Sequence, residues 1–321
     1  MAKLPPDVSS EQRSRLYELL SRHIGIFARS EYDCGRTDLI ECKLDLIRPD
    51  ITPVVQSLRR HPLCHLDVID AEVSKLLSAD IIQPAKDATF TSNVVLVKKK
   101  QIGNEPACYR LAVDLSGVNA VLKPKQAVLP HIDSIIDSLQ GARYFTQLNF
   151  AQAYFSVPIA EESQYLTTFA TRRGLFSFKR MANGLQVAPG IFCQLINFLF
   201  EHMLWHEVLA FMDDLIIPSK SIDEGIDRLS NVFDRIAKSG LKLKPSKVNF
   251  FQTKAHVLGL VVENGCIQED SSRKTVIENM QFPRTIHQLR QFIGFVGFGR
   301  QFYQNLAEII APLTACLKKG A

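Results

Sequence analysis

The chain has 321 residues, 46% of them hydrophobic and 22% charged, and a formal net charge of +5. That composition is globular, long enough for two or three cores, and its modest positive balance permits a polyanionic partner without requiring one. The seven cysteines contain no C-x-x-C pair, the first residues hold no apolar leader, and no apolar run nears the roughly 20 residues of a membrane helix. These facts argue against a disulfide framework, a zinc knuckle and a membrane partner, so an intracellular protein, cytoplasmic or nuclear, is expected.

Ser9-x-x-Gln12 reads as a capping box opening a helix over 9–22, with Leu16, Leu19 and Leu20 at helical spacing. Asp33-Cys34-Gly35 lacks the hydroxyl residue and apolar continuation of an aspartic protease triplet and reads as a loop. Residues 41–60 form an extended, proline-interrupted arm ending in Arg59-Arg60, and 66–79 a second helix. From 93 to 115 the period changes to two. Val94–Val97 runs into Lys98-Lys99-Lys100, residues 101–104 turn, and Tyr109–Leu115 returns. On the return Tyr109, Leu111, Val113 and Leu115 share one face, and Arg110, Ala112 and Asp114 the other.

A helix follows at 131–139 and a strand at 143–148, then strands at 165–171 and 175–181. Gly184–Pro189 is a loop, and 190–205 is apolar and long enough for a buried helix. Residues 222–238 are amphipathic, with Ile226, Leu229, Val232, Phe233 and Ile236 on one side, and stop at Gly240. Short strands are expected at 241–244, 255–262 and 265–268. Thr285 caps a helix over 286–293, beyond which Gly294, Gly297 and Gly299 disfavour continuation. The order predicts an α+β sandwich with helices on one face of an antiparallel sheet.

The stretch LAFMDDLIIPS, 209–219, sets Asp213 and Asp214 between apolar runs. Adjacent carboxylates in such a setting repel and resist desolvation. An exposed turn would relieve them, and so would a hard divalent cation, since Mg²⁺ favours carboxylate and phosphate oxygen. Two such ions about 4 Å apart can activate one oxygen and stabilise the leaving one in phosphoryl transfer. Two ions need a further ligand from a neighbouring strand, and the residue ending the 143–148 strand is Asn149. Lys98–Lys100, Arg172-Arg173, Lys179-Arg180 and Lys242, Lys244 and Lys247 are basic clusters. Each alone reads as a solvated face, and together they can form a phosphate track.

From roughly residue 15 to its end the chain resembles the reverse transcriptase of a gypsy-type LTR retrotransposon. The resemblance is carried in order by Tyr109-Arg110-Leu111-Ala112-Val113-Asp114 with Val118-Asn119, Leu148-Asn149-Phe150 with Tyr154, and Thr167-Thr168-Phe169. Ala182-Asn183-Gly184-Leu185, Ala188-Pro189 with Phe192-Cys193-Gln194, Phe211-Met212-Asp213-Asp214, and Val257-Leu258-Gly259 continue it. The tail from Leu289 is similar to the family's thumb and connector.

The resemblance implies a right-hand polymerase: fingers, a palm with an antiparallel sheet backed by helices, and a partial thumb. It implies an N-terminal helix and arm over 1–65, fingers and palm over 66–262, and a thumb or connector over 263–321. It implies an RNA-directed DNA polymerase with two Mg²⁺, Asp213 and Asp214 as metal ligands and Asn149 at the third catalytic position. Lys99 and Arg110 would hold the incoming triphosphate, Tyr154 would exclude a 2′-hydroxyl, Asn183 and Gly184 would line the nucleotide pocket, and Leu258-Gly259 would grip the primer. The partners implied are an RNA or DNA template with primer, deoxynucleoside triphosphates, and ribonuclease H and integrase domains of a longer polyprotein.

Departures accompany the match. Asn149 stands where the family has a metal-bridging aspartate, leaving two negative groups where three are usual. Loss of that charge is expected to slow chemistry on the order of 10³-fold or more. Ala182-Asn183, Phe211 and Ser116 are milder changes. The alternative reading is a catalytically inactive nucleic-acid-binding remnant. Asp114 and the pair Glu161 and Glu162 are the substitutes for the third carboxylate, and a salt bridge in the fingers is the better expectation for Asp114.

Overall fold

Ser9 opens the first helix, α1 (Ser10–Arg22): its hydroxyl accepts the Gln12 N–H and the Gln12 side chain accepts the Ser9 N–H. The computed structural model describes residues 4–86, 89–98, 109–125, 132–257, 259–263 and 266–317. The extended arm leads into α2 (Leu63–Ser78) and β1 (Ile82–Pro84). β2 (Ser92–Lys98) and β3 (Tyr109–Val113) pair antiparallel, Val94 opposite Val113. The lysines at 99 and 100 and the turn at 101–104 lie outside the described residues.

Next come α3 (Ser116–Asn119), α4 (Ile132–Ser138), β4 (Tyr144–Asn149), β5 (Phe169–Thr171) and β6 (Gly174–Phe178). The centre of the chain holds α5 (Ala188–Phe200), β7 (Leu209–Phe211), β8 (Asp214–Ser219) and α6 (Ile222–Ser239). β9 (Asn249–Gln252), β10 (Lys254–Val257), β11 (Leu260–Glu263) and β12 (Cys266–Glu269) precede α7 (Ser271–Glu278), α8 (Ile286–Gly297) and α9 (Leu306–Ala315).

These strands make a sheet in the order β1-β6-β5-β2-β3, a central sheet β7-β8-β4-β9, and a small sheet β10-β11-β12. The central sheet is antiparallel as expected, but both of its faces are covered rather than one. Tyr144, Leu148, Leu215 and Ile217 face the main core, where α6 contributes Leu229, Val232, Phe233 and Ile236. Phe145, Leu209 and Ile216 face a second core built from Ile135 of α4, Leu139 just after it, and Val257 and Val262 of the small sheet. Strand alternation sends neighbouring residues to opposite faces, so two covered faces demand an unbroken apolar run. That is why the aspartates at 213 and 214 are flanked by apolar residues on both sides.

Several expected elements differ. Glu161–Thr167 winds as a 3₁₀ helix, so the strand expected from 165 begins at Phe169. The helix expected to 205 ends at Phe200. Residues 241–244 form isolated bridges, Leu241 with Gly35 and Leu243 with Phe27 and Phe150, and β9 was not anticipated. The apolar 255–262 run is a hairpin that reverses at Gly259, whose φ is +83°. α8 passes through Gly294 because its Thr285 cap and the packing of Leu289 and Val296 outweigh a glycine cost of about 1 kcal/mol.

Candidate active site

The β7–β8 hairpin pairs Phe211 with Asp214 and leaves Met212 and Asp213 as its turn. Met212 takes φ +53°, left-handed backbone that costs a non-glycine residue about 1–3 kcal/mol. β4 lies alongside β8 in a register that sets Asn149 directly opposite Asp214. Residues 65 apart in sequence therefore become neighbours. The Asn149 amide Nδ2 donates to Asp214 Oδ1, and the Phe150 N–H donates to the Asp213 carbonyl at 3.1 Å. The acidic doublet and Asn149 thus meet at the ends of three adjacent strands.

The two carboxylates address different hollows. Asp213 lines a cavity of about 570 Å³ together with Arg110, Tyr154, Asn183 and Lys247. Asp214 and Asn149 line an adjoining one of about 370 Å³ with Phe211, His256 and Val257. Ser246 and Lys247 belong to both walls. The alternation of the strand explains the split, because Asp214 shares a face with Phe211 and Ile216 and Asp213 does not.

Asp214 keeps solvent contact at its rim, yet desolvation by the surrounding chain and then the Asp213 charge raise its pKa above the ordinary carboxylate value, against the opposing Lys247 charge. Lys247 is the functional neighbour that sequence reading left inside a general basic cluster. Only the β9 approach, unrecognised in the sequence, brings it beside the doublet.

Tyr154 stands on the 3₁₀ turn Ala153–Ser156, held edge-on against Phe192 of α5 at a ring separation of 6.0 Å. Burial and the Asp213 charge raise its hydroxyl pKa. Asn183 is exposed at the same cavity. Gly184 has φ +97°, and the loop around it is clamped by Asn119, whose Nδ2 donates to the Gly184 carbonyl at 2.7 Å while its Oδ1 accepts the Gln186 N–H at 2.9 Å. Gly259 turns the β10–β11 hairpin, whose neighbouring His256 and Val257 wall the Asp214 hollow. Lys99 and Leu258 lie outside the described residues.

Neither substitute carboxylate joins the doublet. Asp114 pairs with Arg59 at 3.3 Å and accepts from Ser116, and Glu162 pairs with Lys43 at 3.3 Å. Among the described residues no three His, Cys, Asp or Glu side chains converge on a point. The donors present are two carboxylates and one amide. They are hard oxygen donors of the kind Mg²⁺ takes, divided between two adjoining hollows and one charge short of the set expected for two ions.

Much of the expected phosphate track is neutralised. Arg172 pairs with Asp67 at 2.8 Å and Asp70 at 2.6 Å, Lys179 with Asp80, and Lys242 with Asp33 at 2.7 Å. Arg180 is buried, and the desolvation lowers its pKa.

Residues 97–262 match the family model described as reverse transcriptase (RNA-dependent DNA polymerase). The chain is 30% identical over 96% of its length to the retrovirus-related Pol polyprotein from transposon 412 of Drosophila melanogaster, covering 25% of that relative. It is 30% identical over 81% of its length to the corresponding polyprotein of transposon 297 of the same fly, covering 25% of it. The transposon Tf2-3 polyprotein of Schizosaccharomyces pombe is 28% identical over 82% of the chain, which covers 19% of it. The chain thus spans about a quarter or less of these relatives. In fold it is similar to a foamy viral protease-reverse transcriptase solved with double-stranded DNA, at TM-score 0.86, 20% identity, 96% of this chain and 53% of that one. The foamy viral protein solved with an RNA/DNA hybrid gives 0.83 and 19%, over 98% and 41%. The architecture is that of the right-hand polymerases.

Proposed function

The chain belongs to the reverse transcriptase family, and from that premise we propose that it is the polymerase portion of a gypsy-type LTR retrotransposon, an RNA-directed DNA polymerase whose chemistry Asn149 impairs. The observation that carries this is the register pair of Asn149 and Asp214, which lines a hollow adjoining the one where Asp213 meets Arg110, Tyr154 and Asn183. On this reading 1–65 is an N-terminal helix and arm, 66–262 fingers and palm, and 263–321 a thumb or connector.

Asp213 and Asp214 would hold a divalent cation. When bound, such an ion lowers the pKa of a primer hydroxyl and offsets charge on the transferred phosphoryl group. The chain's own residues do the rest. Arg110, with Lys99, binds the triphosphate of the incoming deoxynucleotide, and the planar guanidinium suits two phosphate oxygens at once. Tyr154, fixed by Phe192, sets its ring where a ribose 2′-hydroxyl would fall. Asn183 and Gly184 border the base and sugar, with the loop held by Asn119. Leu258 and Gly259 would steady the primer end, on a template of RNA or DNA.

A second reading, a nucleic-acid-binding remnant without turnover, is favoured by one specific contact. The Asn149 amide satisfies Asp214 as a neutral donor, a service that a metal would otherwise render. Primer extension on poly(rA)/oligo(dT) with Mg²⁺ separates the two. We expect weak extension by the wild type and a gain on the order of 10³-fold for Asn149→Asp. Full wild-type activity with no gain on reversion removes the impairment, and no extension by either, with duplex binding intact, leaves the remnant.

A further inference from the structure

The arm that precedes α2 is tied across the molecule as a strap. The Leu243 N–H donates to the Ile26 carbonyl at 2.7 Å and the Ala28 N–H returns to Leu243 at 2.9 Å. The Arg36 N–H reaches the Gly240 carbonyl at 3.1 Å, and the Thr37 N–H reaches Ser156 at 2.9 Å. Asp33 pairs with Lys242, the buried Arg180 donates to the Gly35 carbonyl at 3.1 Å, and the Tyr32 hydroxyl donates to Glu72 of α2 at 2.6 Å. The chain crosses the end of α6 so closely that a Cβ on Gly35 would stand 2.0 Å from the Gly240 carbonyl oxygen.

Between these ties the strap delivers Ala28–Glu31 to the wall of the 570 Å³ hollow that holds Asp213. Arg29, Arg110, Lys244 and Lys247 line that hollow, against two acids, Asp213 and Glu31. Among the described residues none of the four cations makes an ion pair. Asp33 accepts the Arg29 N–H at 2.9 Å and fixes the turn from which the exposed Arg29 side chain springs. An excess of unpaired positive charge in a concave site draws an anion. A single hollow suits a compact polyanion better than an extended strand carrying one charge per nucleotide.

We infer that Arg29, carried by the strap, is an anion-binding residue for the polyphosphate of a nucleoside triphosphate, in the cavity that Arg110 also lines. This rests on the nucleotide-pocket reading above and adds to it a ligand from outside the matched segment 97–262. Polyphosphate chemistry is shared by the incoming nucleotide and the pyrophosphate released, so both are probes.

Calorimetric titration of the full chain with dTTP and with inorganic pyrophosphate, in chelator and without divalent metal, reads binding apart from catalysis. Arg29→Gln should weaken both ligands about tenfold, the scale of one charge-assisted contact, and Arg29→Lys should retain part of it. Arg22→Gln on α1, already paired with Glu18, should leave both unchanged. A loss for Arg110→Gln without one for Arg29→Gln overturns the inference and leaves the nucleotide pocket standing. Failure of the wild type to bind either ligand overturns both. A loss for Arg29→Gln confined to a primer–template duplex also overturns the inference, since the residue would then grip a strand.

Discussion

An amide for a carboxylate at position 149 alters charge while leaving shape almost intact, and its effect is felt first at Asp214. The neutral amide donates to Asp214, so the local repulsion is between Asp213 and Asp214 alone. Desolvation and that repulsion raise the Asp214 pKa in the folded state. A raised carboxylate pKa favours the fold below its ordinary value of about 4, and that contribution is lost as pH rises through the raised value. Ionised Asp214 therefore burdens the cation-free fold at neutral pH. We expect Asp214→Asn to melt higher than the wild type at pH 7 in chelator, with the gap closing as pH falls toward 4. Thermal denaturation across that range checks it, and a gap that widens in acid would contradict the linkage. Adding Mg²⁺ should raise the melting temperature of the wild type and not of Asp214→Asn, because ligand binding to the folded state alone stabilises it.

At the scale of elements, the strap crossing is a close approach of two backbones that only glycines allow. Gly240 ends α6 with φ +71°, and a Cβ there would lie 2.0 Å from the Arg36 carbonyl oxygen. Both the left-handed backbone and the contact forbid a side chain, so Gly240→Ala should cost more than about 2 kcal/mol, by chemical denaturation. A loss below about 1 kcal/mol would mean that the arm can lift away without consequence, and the strap would not be the tie it is drawn as.

The same crossing shows what the sequence could and could not tell. Gly240 was readable as a helix stop, as was the Ser9 cap on α1, because each is decided by residues within a turn of itself. Its second duty, letting the arm pass, depends on Gly35, some 200 residues away, and no local pattern records it. Asn149 against Asp214 was legible across 65 residues, since the end of one apolar strand must meet the turn of another in an antiparallel pair. Arg59 as the partner of Asp114, the division of the doublet between two hollows, and the reversal at Gly259 were not legible. Each turns on which faces are covered by elements far along the chain.

For the whole molecule, net charge is a poor guide to where a polyanion binds. The basic pairs at 172–173 and 179–180 are spent internally: Arg172 on Asp67 and Asp70, Lys179 on Asp80, and Arg173 on Ser74 at 2.7 Å and the Asp70 carbonyl at 3.2 Å. These contacts fasten the β5–β6 turn to α2. Arg29, Arg110, Lys244 and Lys247 line the Asp213 hollow instead, at the end of the central sheet. Lys247 borders the adjoining Asp214 hollow as well, so duplex binding should depend on salt through Lys247 and be indifferent to the cations already paired. Each phosphate contact contributes a slope of about −0.9 in log affinity against log salt. Lys247→Ala should reduce the slope for a primer–template duplex by about one contact and weaken binding across sequences. Arg172→Ala should leave the slope unchanged and lower the melting temperature only slightly, because it removes two intramolecular ion pairs at the surface. Fluorescence anisotropy at four salt concentrations between about 50 and 200 mM, over which the Debye length falls about twofold, resolves a change of that size. Equal loss of slope in both variants would mean that the internal pairs open to receive the duplex, and the fingers would then have to be redrawn as a surface that rearranges on binding.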